Sequence, residues 1–222
     1  MQDLTLVIPA KKEAESLPSV LKEIEDLECS KIVVLEENDK ETIESIRDFN
    51  VKIIFQNGKG YGNALIQGIN NVHTNYLCIF NADGSFNPKE LQNLLNYCQK
   101  FDYVFASRYL KNASSEDDTI LTKLGNLIFT FLGNILFNLK ITDILFTYIL
   151  GKTSSFKNLN LNNFDFRICV EIPIKAKFRK MNYICTPSFE RERIGGKKKV
   201  NALKDGLLIL SEIVKYFLRL KK

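Results

Sequence analysis

Four polar clusters in the first half of the chain carry side chains able to do chemistry, and each follows a short apolar run. Asn81-Ala82-Asp83 closes one such run. A carboxylate just past the buried part of a strand can hold Mg²⁺ or Mn²⁺, hard cations that take oxygen ligands and leave positions open for phosphate. Ser85 and Asn87 add oxygens nearby. Glu36-Glu37, followed by Asp39 and Glu41, ends a second run; adjacent carboxylates repel and are tolerated where solvated or hydrogen-bonded to a ligand. Pro9-Ala10-Lys11-Lys12-Glu13 ends a third, with Glu13 at a helix start where its charge suits the helix dipole. Gly58, Gly60 and Gly62, with Lys59, form a loop before a helix, where backbone N–H groups can meet an anion. That loop fits neither the dinucleotide fingerprint nor the Walker pattern, and Gly195-Gly196-Lys197 lacks the strand-loop-helix setting of a Walker loop. Each cluster alone reads equally well as a turn, a solvated acidic pair or a helix start. Four of them at the ends of four consecutive strands read as a site.

The elements that must position them follow from the apolar pattern. Residues 4–8, 31–35, 51–55, 76–80 and 103–106 are β-rich runs, and helical spacing separates them, as in Leu17, Val20, Leu21, Ile24 and Leu27 or Leu65, Ile69 and Val72. Strands joined by helices imply right-handed crossovers and a parallel sheet covered on both faces. Ligands of such sheets bind at the carboxyl ends of the strands, where the four clusters lie. Residues 119–150 are rich in Leu, Ile and Phe, while Asn126, Thr130, Asn134 and Asn138 recur every fourth position. The spacing predicts a helix with a narrow polar stripe, either a core helix with the stripe outward or a helix lying in a membrane interface. From about Leu203 onward a second amphipathic helix carries Leu207, Leu210, Val214, Phe217 and Leu218.

Composition narrows the function classes. The 222 residues are 45% apolar and 26% charged, enough to bury a core. The net charge of +5 is concentrated toward the C-terminus, where Arg191, Arg193, Lys197, Lys198, Lys199 and Lys204 suit an anionic partner. Charge without an aromatic-basic platform gives no support for nucleic acid. Five scattered cysteines without metal-site spacing read as buried thiols of a reducing compartment, so a cytoplasmic place is expected. No signal peptide and no uninterrupted apolar run of about 18 residues is visible. His73 is the only histidine, which excludes a histidine-based triad and a multi-His metal site.

These residues resemble a known family. Val7-Ile8-Pro9-Ala10-Lys11-Lys12-Glu13 is similar to the V-I-P-A-Y-N-E opening of family 2 glycosyltransferases, and more closely to dolichol- or polyprenol-phosphate sugar transferases. Val33-Val34-Leu35-Glu36-Glu37 stands where the family has V-V-D-D, and residues 58–65 resemble G-K-G-Y-G-N-A-L. Asn81-Ala82-Asp83-Gly84-Ser85 resembles the D-A-D-x-S metal motif, and Ala106-Ser107-Arg108-Tyr109 resembles G-S-R-Y/F. Leu124-Gly125-Asn126, Ile141-Thr142-Asp143 and the Arg193–Val200 stretch resemble L-G-N, I-T/S-D and R-x-G-x-S-K in the same order.

The resemblance implies an α/β GT-A fold: a Rossmann-like, mostly parallel sheet flanked by helices, with a helical acceptor-side region. Residues 1–222 would form one domain, 1–110 binding the nucleotide-sugar and 111–222 building the acceptor side with a C-terminal amphipathic helix. It implies donor contacts from Pro9, Ala10, Glu13, Glu36, Glu37, Gly58, Lys59, Asn81 and Ala82. Asp83, with Asn81 and Ser85, would hold Mg²⁺ or Mn²⁺. Arg108, Lys123, Arg191, Arg193 and Lys197 would bind acceptor or donor phosphate. Asp83, Asp143 and Arg108 would form the catalytic set, with Asp143 near the reacting centre. The implied reaction inverts the anomeric carbon, with a nucleotide-sugar donor and a polyprenyl-phosphate acceptor at the cytoplasmic face of the cell membrane. An ionised phosphate needs no strong base; a hydroxyl acceptor would, and Asp143 is then the candidate.

The chain departs from the family at four places. Asn81 removes one negative charge from the metal motif, Glu36-Glu37 reaches one methylene further than Asp-Asp, and Lys11-Lys12 replaces Tyr-Asn. Residues 144–152 lack the S-G-F-R pattern. Other readings are a nucleotide-binding or scaffold protein of the same fold that has lost catalysis, or a transferase with a hydroxyl acceptor. A sugar-nucleotide nucleotidyltransferase would want a glycine- and arginine-rich loop after the first strand, where Pro9-Ala10-Lys11-Lys12 stands.

Overall fold

The computed structural model describes residues 1–195, 199 and 201–220. Its core is a seven-stranded sheet in the order β3-β2-β1-β4-β7-β5-β8, with β1 Leu4–Pro9, β2 Ser30–Leu35, β3 Lys52–Phe55, β4 Tyr76–Ile79, β5 Tyr103–Ser107, β7 Ile149–Lys152 and β8 Tyr183–Pro187. A two-stranded ribbon pairs β6 Ser114–Ser115 with β9 Phe189–Glu190. Only β7 runs against the rest of the large sheet, between β4 and β5. Sequence patterning missed it because it begins at the end of the apolar 119–150 region, where a short buried strand and a buried helix look alike.

Side chains alternate across each strand, so Leu6 and Ile8 enter one core and Val7 the other. Helices α1 Leu17–Glu23 and α4 Leu91–Cys98 cover the first face, with Ile46 just after α2 Lys40–Ser45. Helices α3 Tyr61–Asn70, α6 Thr153–Asn158 and α7 Ile168–Phe178 cover the second. Register brings the strand ends level: Val7 pairs with both Ile32 and Ile79, so the segments after Pro9, Leu35 and Ile79 emerge at one edge. A Cβ at Gly68 would stand 2.4 Å from Val7 Cγ1, so only glycine lets α3 approach β1 this closely.

Helix α5, Ile120–Phe137, packs with α7 and α8 Ala202–Leu220 around a third core. Its polar stripe faces inward, which corrects the expectation of an outward stripe. Asn126 is 1% exposed and Ile120 90%. The cause is the irregular segment that follows, whose buried backbone groups need partners. Asn126 Oδ1 accepts from Leu145 N at 3.1 Å, Thr130 Oγ1 from Ile144 N at 3.1 Å, and Asn134 bonds both polar groups of Ile141. The apolar side of α5 is thereby turned to the exterior, and Leu124, Ile128, Phe131 and Ile135 are exposed. Despite its polar interruptions, α5 is the described helix long and apolar enough to cross a membrane by length and composition.

Candidate active site

A cleft of about 510 Å³ opens at the carboxyl edge of the sheet. Pro9, Ala10, Glu13, Asn81, Ala82 and Asp83 line it together, as the sequence led us to expect. Asp83 sits on the turn after β4, where Gly84 has φ +84°. Its Oδ1 accepts from Ser85 N at 3.0 Å and its Oδ2 from Arg193 Nη2 at 3.1 Å. Glu13 accepts from Ser16 Oγ at 2.8 Å and pairs with Lys199. Asn81 donates to Ser85 Oγ at 3.2 Å, and Ser85 is buried. Ser85 thus shapes the turn beneath Asp83 and is not among the residues that line the cleft.

Arg108, at the end of β5, presents a cation on the opposite wall. Its Nε and Nη2 donate to Asp143 at 2.7 and 2.9 Å, its Nη1 to Glu190 at 3.2 Å, and its guanidinium lies 4.6 Å from the Phe146 ring centroid. Burial works against that charge, but the bonds to Asp143 and the nearby Glu190 hold the Arg108 pKa above its ordinary range. Asp143 is 2% exposed and also accepts from the Arg108 backbone N–H and Asn126. It is not among the residues that line the cleft, and its bonds hold Arg108 in place there. Glu190, which sequence reasoning missed, does line the cleft. Burial pushes its carboxyl up, with Arg108 and Ser115 pulling the other way. A Glu alternating with Arg in residues 190–193 carried no signal of its own; the β6–β9 pairing delivers it.

The glycine loop plays a different part from the anion cradle expected. A Cβ at Gly60 would lie 2.2 Å from Phe164 O and one at Gly62 2.1 Å from Asn163 O, and Asn63 N donates to Phe164 O at 3.0 Å. The start of α3 is thus packed against another chain segment. Tyr61 of this loop builds the cleft wall, stacked on Phe166 at 5.1 Å and bonded to Thr147 at 2.7 Å. Burial pushes the Cys169 thiol on the same wall up to about 12. Glu36, Glu37 and Gly58 line a shallow neighbouring hollow, joined to the main cleft through Gln56. Lys59 is exposed and lines neither.

The expected phosphate ligands divide. Arg193 lines the cleft. Arg191 does not: it donates to Glu23 at 2.7 and 2.9 Å and to Phe86 O at 2.8 Å. Lys123 is exposed beside the Tyr109 ring, outside the cleft. Lys197 lies outside the described residues. Among the described residues no group of three His, Cys, Asp or Glu side chains is placed to hold a metal by itself. All five cysteines are free, and Cys78, Cys98 and Cys169 are buried.

A mostly parallel sheet with a cleft across its carboxyl edge defines an α/β protein of GT-A architecture, a fold class whose ligands bind at the strand ends. The family described as Glycosyl transferase family 2 matches residues 5–159, and the chain belongs to that family. It is therefore a glycosyltransferase. Among solved structures, glucosyl-3-phosphoglycerate synthase from Mycobacterium tuberculosis with phosphoglyceric acid is 12% identical, with TM-score 0.75 over 96% of this chain and 79% of that one. The same enzyme with Mn²⁺, UDP-glucose and phosphoglyceric acid superposes with TM-score 0.74 at 12% identity, over 96% and 79%. Mannosyl-3-phosphoglycerate synthase from Rubrobacter xylanophilus is 14% identical, with TM-score 0.72 over 98% and 74%. At these identities the likeness is one of fold. Curated protein sequences give no match.

Proposed function

We propose that this chain moves a sugar from a UDP- or GDP-sugar onto a polyprenyl phosphate at the cytoplasmic face of a membrane, with Mg²⁺ or Mn²⁺ at Asp83. The observation that carries the lipid acceptor is the exterior of α5 and α8. Leu121, Leu124, Ile128 and Phe131 on α5 and Leu203, Leu207, Val214 and Leu218 on α8 are exposed. Within Ile120–Phe137 there is no acidic residue, and Lys123, Lys204, Lys215 and Arg219 are exposed along the two helices. Apolar area ringed by cations suits an anionic bilayer surface. The inner sides of the same helices reach the site: Ile209 of α8 lines the cleft, and Asn126 of α5 bonds the Asp143 that holds Arg108. An acceptor phosphate arriving from the bilayer would meet the remaining Arg108 N–H groups. Helix α5 lies along the surface in this reading, because Asn126, Thr130 and Asn134 anchor it to residues 141–145.

Asp83 supplies one carboxylate beside the neutral Asn81 amide. That donor set suits a cation that takes its other ligands from a diphosphate and water. Bound there, the ion would stabilise charge on the departing nucleoside diphosphate. Pro9, Ala10 and Glu13 would meet the nucleoside, with Glu36 and Glu37 in the adjoining hollow. An ionised phosphate attacks without a base, which accords with the burial of Asp143. Solved structures of similar fold hold phosphoglyceric acid, which supports a second reading of the acceptor. Labelled UDP-glucose and GDP-mannose, each offered with polyprenyl phosphate in vesicles or with free 3-phosphoglycerate, separate the two. Label in the lipid phase is expected; label only in the soluble acceptor would overturn the lipid reading and leave the transferase intact.

A further inference from the structure

The segment carrying Arg193 is fastened to the turn beneath it. Ile194 N donates to Asp83 O at 2.8 Å, Arg191 N donates to Ser85 O at 2.9 Å, and Ile194 packs over Gly84. Two cations of the C-terminal region lie on two of the carboxylates that line the cleft. Arg193 Nη2 meets Asp83 Oδ2 at 3.1 Å, steadied by Asp117 3.4 Å from its Nε, and Lys199 pairs with Glu13. Ser85 N–H holds the other oxygen of Asp83. The oxygen that a metal ion needs is therefore already engaged by a cation of the chain itself, in a pair with both members mostly buried.

A divalent ion and a guanidinium repel, so both cannot hold that oxygen in a partly desolvated cleft. Displacing Arg193 leaves its charge beside an incoming dication unless an anion receives it. A nucleoside diphosphate is such an anion. We propose that Arg193 couples metal binding to nucleotide binding: the guanidinium blocks Asp83 until a nucleoside diphosphate arrives to accept it. This rests on the reading of Asp83 as the metal ligand. Mn²⁺ alone and nucleotide alone then bind weakly, and each tightens the other by the same factor, as linkage requires. Asn81 sharpens the effect, because a motif with one carboxylate has no second negative charge with which to hold the ion against Arg193.

The test is titration of the full chain with Mn²⁺, followed by electron paramagnetic resonance of the unbound ion, with and without saturating UDP or GDP. Arg193→Gln is expected to tighten Mn²⁺ binding in the absence of nucleotide by roughly fivefold and to shrink the nucleotide-induced gain. Arg193→Lys keeps the charge and is expected to stay near wild type. Unchanged Mn²⁺ affinity and unchanged coupling in Arg193→Gln would overturn the proposal. So would an equal gain in Arg191→Gln, since that would trace the effect to a loosened strap. Asp83→Asn separates the underlying reading: Mn²⁺ binding like that of wild type would show that Asp83 is not the ligand, whatever Arg193 does.

Discussion

Arg108 is gripped by a buried carboxylate on one side and by Glu190 on the other, which fixes a guanidinium that could otherwise sample many rotamers. Removing one partner of such a pair leaves an uncompensated buried charge, which costs more than the pair itself contributes. Asp143→Asn is therefore expected to destabilise the fold by about 3 kcal/mol, seen as a lower urea midpoint at an unchanged slope. A stability equal to wild type would mean that Glu190 alone holds Arg108. The sequence revealed the residue types of this cluster but not their roles. Asp143 looked like chemistry because it is acidic and follows a motif, whereas burial, invisible in one sequence, makes it a support. Glu190 was overlooked because it becomes a cleft residue only through its long-range pairing with Ser115.

Among the elements, α1 to α4 and the first five strands were legible because each signal is local: a β-rich run, a helical period, a Gly or Pro stop. Helix α5 was legible as a helix but not in its orientation. Its stripe of Asn and Thr resembles a solvated face, yet it serves the backbone of residues 141–145, a segment with too few regular hydrogen bonds of its own. The exposed side is thus not needed for packing. Replacing Leu124, Ile128 and Phe131 together by Ser is expected to change stability by no more than about 0.5 kcal/mol per site while vesicle binding falls. Loss of cooperative unfolding in that variant would show that this face packs within the protein. The glycine loop teaches the same caution. Gly60 and Gly62 permit close packing against Phe164 and Asn163, and their spacing says nothing about phosphate.

At the scale of the whole molecule, the sheet supports the cleft at its carboxyl edge, and α5 and α8 carry an apolar exterior. Strand ends bring Glu13 and Asp83 to a common edge, Arg193 and Lys199 lie over them, and α8 contributes Ile209 to the cleft they line. The charge excess lies where the account puts phosphate and lipid headgroups, so vesicle association should weaken as salt rises. The central claim is a metal-dependent nucleotide site at Asp83, and calorimetric titration with UDP and with GDP, each with and without Mn²⁺, tests it most directly. One nucleotide is expected to bind, Mn²⁺ to strengthen its binding, and Asp83→Ala to remove the strengthening while leaving circular dichroism unchanged. Nucleotide binding indifferent to Mn²⁺ and to Asp83→Ala would contradict it.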